Sequence, residues 1–322
     1  MDILFVIDRI ELKYFEFNNL VTNFWIIKEF LTENQNVWIT TIDNLSLKQG
    51  VAFTKCFKAF EQNGDIFYEK NPINRIINDF SLVMFRPDPP VDLDYINATY
   101  VFDFVDREKT LILNDPKSIR SFNEKLHAVK FLDLMPENIV TASKSDIIEF
   151  LNIHNDIVLK PLSNCFGAGV MTLTKGDKNT SVIINSITKN QTQLVMVQKY
   201  IDKAKFGDKR VMFLGDEVLD VCIQKLPSND DFKFNEHCDS NIIKAELTQS
   251  EKEKFAPVAH ELNKLGLPMV GLDVIDEQII EINVTSPCYF IKETNFHHNV
   301  QLEKKITNFI LQRANIKQTI LK

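Results

Sequence analysis

Near the end of the chain, Gly271-Leu-Asp273 is followed by a turn candidate at Asp276-Glu277 and then by Glu281-Ile-Asn283-Val-Thr285-Ser286-Pro287. Side chains of an extended strand alternate between faces, so Glu281 and Asn283 share one face. A three-residue hairpin loop would set Asp273 opposite Glu281. Asp273, Glu281 and Asn283 would then converge as oxygen donors. Mg²⁺ accepts such a sparse set of carboxylate and amide oxygens and leaves its other positions for nucleotide phosphates and water. The same alternation also describes an acidic hairpin face turned to solvent.

Two lysines supply the opposite charge. Lys125 is expected inside a helix, and Lys160 closes the apolar strand Ile157-Val-Leu just before Pro161. A lysine at a strand end projects its ammonium into the cleft beyond, where it can neutralise phosphate oxygens, although either lysine alone also reads as a solvated side chain. Ser163-Asn-Cys-Phe-Gly167-Ala-Gly169 follows, a turn whose glycines and small side chains can present backbone N–H groups to phosphate. It matches neither GxxxxGKS/T nor GxGxxG, so a P-loop or a Rossmann fingerprint has no support. Further on, Gln198-Lys-Tyr200 offers a polar hinge to an adenine edge. Asp208 can accept from ribose hydroxyls, and Arg210 can face a phosphate charge that grows during transfer. Gly207-Asp208 is equally a plain turn that opens a strand.

Other chemistries find no foothold. The six histidines show no HExxH spacing, no GxSxG elbow occurs, and the five cysteines form no CxxC pair, which argues against zinc, a hydrolase triad and a disulfide framework. With 44 acidic against 37 basic residues the net charge is −7, the wrong sign for nonspecific nucleic-acid binding. Apolar runs such as Ile3 to Ile7 fall far short of the ~20 residues that cross a bilayer, and no signal segment follows Met1-Asp2, so a cytoplasmic address without membrane partners is expected.

The elements that must hold these residues alternate along the chain. Strand Ile3 to Ile7, a helix face of Leu20, Phe24, Ile27 and Leu31, and strand Val37 to Ile42 form a βαβ-type unit. A weakly patterned stretch from Leu45 to Asn78 precedes a buried strand, Phe80 to Phe85, which Arg86-Pro87-Asp88-Pro89-Pro90 terminates. Strand Leu111 to Leu113 leads into Asn114-Asp115-Pro116, the cap of the helix expected to carry Lys125. A second unit follows, with strands Ile139 to Thr141, Ile157 to Leu162, Val170 to Thr174 and Leu194 to Ile201, and helices from Ser145 and from Thr180 to Ile187. Antiparallel strands are then expected at Arg210 to Leu214, Glu217 to Gln224, Met269 to Ile275 and Ile279 to Val284, with a helix from Ser250 to Leu265. Residues 227–245 read as a mobile loop and those past Ala314 as a frayed tail. The resulting fold class is α/β, turning α+β in the C-terminal half.

Taken in order, Lys125, Lys160-Pro-Leu, Gln198-Lys-Tyr200, Gly-Asp208-Lys-Arg210-Val, Gly271-Leu-Asp273 and Glu281-Ile-Asn283-Val-Thr-Ser286-Pro resemble the ATP-grasp superfamily and, within it, the bacterial glutathione synthetases. Phe85-Arg86-Pro-Asp88-Pro-Pro, Asn97-Ala-Thr-Tyr100, Asn114-Asp-Pro-Lys-Ser-Ile-Arg120 and Asn123-Glu-Lys125-Leu extend the resemblance over nearly the whole chain. It implies an N-terminal α/β preATP-grasp domain (1–120), a central lid domain (121–202) and a C-terminal antiparallel catalytic domain (203–316). The implied reaction joins γ-glutamylcysteine to glycine through an acyl phosphate, with ATP cleaved to ADP and phosphate. By the same resemblance Lys125 and Lys160 hold phosphates, with the Gly167 turn beside them. Gln198 and Tyr200 hold adenine and Asp208 the ribose. Asp273, Glu281 and Asn283 ligate Mg²⁺, with Mn²⁺ as its alternative, and Arg210 stabilises the transferring phosphoryl group. Arg86 and Ser286 contact substrate carboxylates. Family members assemble as homotetramers or dimers.

Three segments depart from the family pattern. The Asp-Gly-x-Gly-Gly lid turn stands here as Ser163-Asn-Cys-Phe-Gly167. The loop rich in Gly and Arg is replaced by Ser228-Asn-Asp-Asp-Phe-Lys-Phe-Asn-Glu-His-Cys-Asp-Ser240. The N-terminal Lys-Asp-Ser-Ser/Thr pattern is replaced by Phe17-Asn-Asn-Leu-Val-Thr22. An ATP-grasp ligase with a changed acceptor, or a noncatalytic nucleotide-binding module, are the alternatives these departures leave.

Overall fold

The computed structural model describes residues 1–9, 21–165, 167–227 and 241–320, with backbone alone over 316–320. Three sheets follow one another along the chain. The first contains β1 (Asp2–Ile7), β2 (Asn36–Thr41), β3 (Leu45–Lys48), β4 (Val51–Gln62), β5 (Asp65–Tyr68), β6 (Ile73–Ile76), β7 (Leu82–Phe85) and β8 (Leu111–Leu113). Its order is β3-β4-β2-β1-β7-β8, with β5 and β6 paired to β4. Parallel pairing of β1 with β2 and β7 buries Ile3 to Ile7 completely, as the unbroken apolar run requires. Helix α1 (Thr22–Thr32) covers this strand with Phe24, Ile26, Ile27 and Phe30. Leu20 of the expected face lies outside the described residues.

The weakly patterned stretch from Leu45 to Asn78 contains the antiparallel ribbon β3 to β6. Its inward residues on β4 include Ala52, Thr54 and Cys56, too small or polar to stand out from the intervening Phe53 and Lys55. Residues 93–101 form α2 (Leu93–Val101), capped by Asp92, and α3 (Pro116–Arg120) has Asp115 as its cap. The latter helix stops before Lys125, contrary to expectation. Asn123 Oδ1 accepts from the Lys125 and Leu126 amides, and this side chain starts a separate run of 3₁₀ turns over Leu126–Leu134.

The second sheet has the order β11-β10-β12-β9, from β9 (Asn138–Thr141), β10 (Asp156–Pro161), β11 (Met171–Thr174) and β12 (Val195–Lys199). Alternation sends Ile157, Leu159, Val195 and Val197 into a core with α4 (Lys144–His154) and α5 (Thr180–Ile187). Val158, Lys160 and Gln198 face the other way.

The third sheet, entirely antiparallel, contains β13 (Asp208–Leu214), β14 (Glu217–Val218), β15 (Val221–Lys225), β16 (Ile242–Glu246), β17 (Met269–Ile275) and β18 (Gln278–Asn283) in the order β16-β15-β13-β17-β18, with β14 paired to β13. Helix α6 (Gln249–Lys264) opens on a Thr248–Glu251 capping box and packs Phe255, Val258, Ala259 and Leu262 beneath the sheet. The expected loop at 227–245 is too long at its far end, because Ile242 to Ala245 pair with β15. Residues 228–240 lie outside the described set. Nor does the chain fray at Ala314. After α7 (Ile291–His298), helix α8 (Leu302–Ile320) continues through it.

Asn114, just past β8, ties the first sheet to the third. Its side-chain amide donates to Met269 O and Val284 O, each at 2.7 Å, and its oxygen accepts from Met269 N at 3.0 Å. Among the described residues no helix is long and apolar enough to cross a membrane.

Candidate active site

A cavity of about 650 Å³ opens where the three sheets meet. Its floor is one face of the third sheet, and strand register assembles it. Asp208 is opposite Lys225, Arg210 opposite Asp273, and Asp273 opposite Glu281, while Gly271 is opposite Asn283. The expected facing of Asp273 and Glu281 is therefore present, but a different device produces it. The hairpin turn is the two-residue Asp276-Glu277, both at left-handed φ, and a register shift beyond Asp273/Val274 leaves Ile280 as a bulge residue. Were Ile280 instead paired in regular register opposite Asp273, alternation would carry Glu281 and Asn283 to the opposite face.

Charges on this floor are close and buried. Arg210 donates to Asp273 from Nε at 2.8 Å and from Nη2 at 3.3 Å, and its Nη1 donates to Cys288 O at 2.8 Å. Lys225 Nζ lies 2.9 Å from Asp273 Oδ1 and 2.7 Å from Asp208 Oδ2. Burial pushes the Asp273 carboxyl up, yet the Arg210 and Lys225 charges outweigh it and hold the group well below the usual carboxylate range. Asp208 goes the other way, because burial outweighs its pairing with Lys225. Asn283 donates to Gly271 O at 3.1 Å and to Asp273 Oδ2 at 3.3 Å. Two close approaches fix the backbone here. A Cβ on Gly271 would sit 3.1 Å from Arg210 Cδ, so the missing side chain gives the guanidinium its room, and a Cβ on Gly207 would meet Lys225 O at 2.1 Å.

The second sheet forms the facing wall. Lys160 is buried and donates to Ile280 O at 3.1 Å, the carbonyl of the bulge residue. Burial lowers its pKa to about 8 against the pull of Glu281. Val158 and Gln198 stand side by side in register, and Gln198 Nε2 is buried without a hydrogen-bond partner. Tyr200 and Gly167, the latter at φ +68°, line the same wall. Lys125 does not line the cavity: it is buried behind Glu281, with Nζ 2.7 Å from Glu281 Oε1 and 2.8 Å from Asn164 O. Burial works against its charge, but Glu281 raises its pKa.

The first sheet contributes the third side. Arg86 follows the carboxyl end of β7 and is buried, with Nε donating to Asn23 Oδ1 at 2.5 Å and Nη2 to Pro287 O at 3.0 Å. Ser286 Oγ donates to Asp88. All the residues that the sequence nominated, Lys125 excepted, line this one cavity.

Sequence reasoning passed over Lys225, Glu124 and Asn23. Lys225 carried a signature close to that of Lys160, a lysine that ends a largely apolar strand with a proline nearby, here two residues on, in Val221-Cys-Ile-Gln-Lys225-Leu-Pro. Nothing in the sequence pattern distinguished Glu124 or Asn23.

As chemistry, this floor offers three carboxylates, Asp208, Asp273 and Glu281, and the Asn283 amide beside buried cations. Among the described residues no group of three or more His, Cys, Asp or Glu side chains converges as a metal site. The donor set Asp273, Glu281 and Asn283 nevertheless suits a hard cation, because Asp273 is held ionised and the three side chains lie in adjacent register on one face.

Comparison with known proteins agrees with this geometry. The prokaryotic glutathione synthetase N-terminal domain matches residues 1–120, and the ATP-grasp domain of the same family matches residues 124–297. Glutathione synthetase of Vibrio cholerae is 31% identical over 294 residues, 91% of this chain and 92% of that protein. The enzyme of Thermosynechococcus vestitus is 36% identical over 262 residues, 78% of this chain and 82% of its own length. A Nostoc glutathione synthetase is 42% identical over 205 residues, an alignment that spans 64% of this chain and 63% of that relative. Among solved structures, D-cycloserine synthetase DcsG superposes with a TM-score of 0.68 at 12% identity, covering 98% of this chain and all of that one. The D-alanyl-alanine synthetase A of Vibrio cholerae superposes with a TM-score of 0.61 at 13% identity, covering 98% of each chain. The two superpositions speak to fold, and the sequence matches to descent: the chain belongs to the prokaryotic glutathione synthetase family, built on the ATP-grasp fold.

Proposed function

We propose that this protein is an ATP-dependent C–N ligase that joins γ-glutamylcysteine to glycine, releasing ADP and phosphate. The observation that carries the reading is the single cavity in which the Arg210–Asp273–Lys225 cluster faces Lys160 and the orphaned Gln198 amide. A carboxylate is a poor acylating agent, so the dipeptide carboxylate first attacks the γ-phosphoryl group of ATP. The bond from that phosphorus to the ADP oxygen breaks as the acyl phosphate forms. The glycine amine then attacks the acyl carbon, inorganic phosphate leaves with the C–O electron pair, and the amine proton passes to solvent.

The chain supplies alignment and charge rather than a nucleophile. Gln198 Nε2, unpartnered in its buried position, is the donor to an adenine ring nitrogen, and Tyr200 flanks the ring. Asp208 accepts from the ribose. Lys160, with Lys125 from behind Glu281 and the Gly167 turn, neutralises the α- and β-phosphates. Arg210 stabilises the charge on the moving phosphoryl group, and Arg86 and Ser286 meet the substrate carboxylates. Asp273, Glu281 and Asn283 would hold Mg²⁺, or Mn²⁺ in its place, which when bound supplies screening of the polyphosphate charge. We also carry with this reading a cytoplasmic homo-oligomer, tetramer or dimer. Exposed Val51, Phe60, Phe67 and Ile73 on the β4–β6 ribbon are apolar surface suited to a second copy.

ADP release by the purified chain with Mg²⁺ and ATP tests the activity. It is expected only when γ-glutamylcysteine and glycine are both present. Faster release with another amino acid pair would reassign the acceptor, and nucleotide binding without turnover under any pair would remove the catalytic reading.

Lys160 gives a pH test. Its folded pKa of about 8 lies below the usual lysine value, so the ammonium that phosphate needs is present below pH 8 and is lost as the pH rises through it. Phosphate contact favours the charged form, so near pH 9, where the free group is mostly neutral, ATP binding is expected to take up close to one proton. Calorimetry in buffers of different ionisation heat reads that number, and Lys160→Met should abolish it.

A further inference from the structure

Val284 and Thr285 join the floor strand β18 to the Ser286-Pro287-Cys288 segment that Arg86, Asp88 and Arg210 hold. Glu124 grips this junction. Its Oε1 accepts from Val284 N at 2.7 Å, Thr285 N at 3.0 Å and Thr285 Oγ1 at 3.1 Å, and its backbone oxygen accepts from Ile282 N at 3.0 Å. On the other side, Asn114 Nδ2 donates to Val284 O at 2.7 Å, so residue 284 is held through both its backbone groups. Glu124 is flanked by Asn123, whose amide donates to Leu162 O at 2.8 Å, and by Lys125, whose ammonium donates to Asn164 O at 2.8 Å. One tripeptide thus pins the free edge of the third sheet and reaches the turn that follows β10. Edge strands have unpaired N–H groups, and here a carboxylate oxygen takes two in succession.

We propose that Glu124 is a positioning residue for the peptide and glycine half of the site. By fixing the backbone of residues 284–285 it sets the height of Ser286 and the path of the Pro287 and Cys288 carbonyls, on which Arg86 and Arg210 are aligned. The nucleotide half is placed by other elements, namely Gln198 and Tyr200 at the end of β12, Lys160 on β10 and Asp208 on β13. Loss of the clamp therefore separates the two halves. This assignment rests on the function proposed above for its substrates, but not for the clamp itself.

Two readouts test it in the full-length protein. Backbone hydrogen exchange measures the clamp without any substrate: Glu124→Ala is expected to speed exchange at Val284 and Thr285 by at least about tenfold, the scale of a lost charge-assisted hydrogen bond. Unchanged exchange there would overturn the clamp. Steady-state ADP release measures its role: Glu124→Ala should raise KM for γ-glutamylcysteine or glycine roughly tenfold while leaving KM for ATP within about twofold. Glu124→Gln retains an acceptor oxygen and should restore most of that loss. An equal rise for ATP and acceptors, or no rise for either acceptor, would overturn the positioning role. Should Glu124→Ala not fold, Thr285→Val removes only the Thr285 Oγ1 bond of the same buried junction with little change of shape and is expected to shift acceptor KM alone, about threefold; a shift in ATP KM instead, or none, counts against the proposal. If the wild-type chain releases no ADP with this substrate pair, the function fails while exchange at Val284 and Thr285 still decides the clamp.

Discussion

Asp273→Asn is expected to cut turnover by about three orders of magnitude and to lower the thermal midpoint as well. The carboxylate accepts from Arg210 Nε and Nη2, from Lys225 Nζ and from Asn283 Nδ2. An amide in its place leaves two buried cations facing a neutral group whose NH₂ is itself a donor. Breaking a buried pair from one side typically costs about 3–5 kcal/mol, mostly as the desolvation of the charge left behind. Because the folded carboxyl lies below its unfolded value near ~3.9, its stabilisation is complete above that pH and disappears as pH falls through the lower folded value. The acid limb of the stability curve should therefore be shallower in the variant than in wild type. Thermal unfolding from pH 2 to 7, with ADP release at pH 7.5, checks both parts. A variant that keeps its midpoint and its activity would remove Asp273 from the centre of the site.

Arg210→Ala separates transition-state from ground-state contact. If the guanidinium meets charge that develops on the moving phosphoryl group, turnover falls about 10²- to 10³-fold, while the dissociation constant for ATP changes by no more than a few-fold. In the resting protein Arg210 already has acceptors in Asp273 and Cys288 O, so it has little left to offer a ground-state nucleotide. Lys225 remains beside Asp273 in the variant and keeps that carboxylate compensated, which limits the loss of stability. Arg210→Lys retains the charge but cannot span both acceptors, and should recover only part of the rate. Single-turnover kinetics alongside equilibrium ATP binding make the distinction, and equal losses in the two would assign Arg210 to binding.

Much of the site was legible in the sequence because period-two alternation is a strong constraint. Glu281 and Asn283 had to share a face, and so did Asp208 and Arg210. The lysine that ends Ile157-Val-Leu had to emerge at a strand end. What alternation cannot give is partnership across the chain. Lys125 alone reads as a solvated side chain and only the family resemblance implies a phosphate role for it, whereas the fold places it behind Glu281, and only register brings Lys225 between Asp208 and Asp273. Glu124 was invisible for a related reason, since its partners are backbone amides, which have no signature in side-chain type. In the fold, long apolar strands such as Ile3 to Ile7 declared themselves. The β3 to β6 ribbon did not, because Ala52, Thr54 and Cys56 face its interior. The end of the loop at 227–245 was hidden by the exposed Lys244 and Glu246, where composition resembles that of a loop, and the helix beyond Ala314 by the short, polar run that ends the sequence.

The bulge at Ile280 has an evolutionary side. Substitution anywhere on this hairpin changes one donor at a time, and selection can weigh each alone. Gain of one codon between Asp276 and Glu281, with the bulge kept to a single residue, would instead exchange every inward side chain beyond it for its outward neighbour in a single event, whereas loss of the Ile280 codon would leave a regular hairpin with Glu281 still opposite Asp273. Lineages of this chain should therefore tolerate drift in the identity of these residues far more readily than an increase in their number.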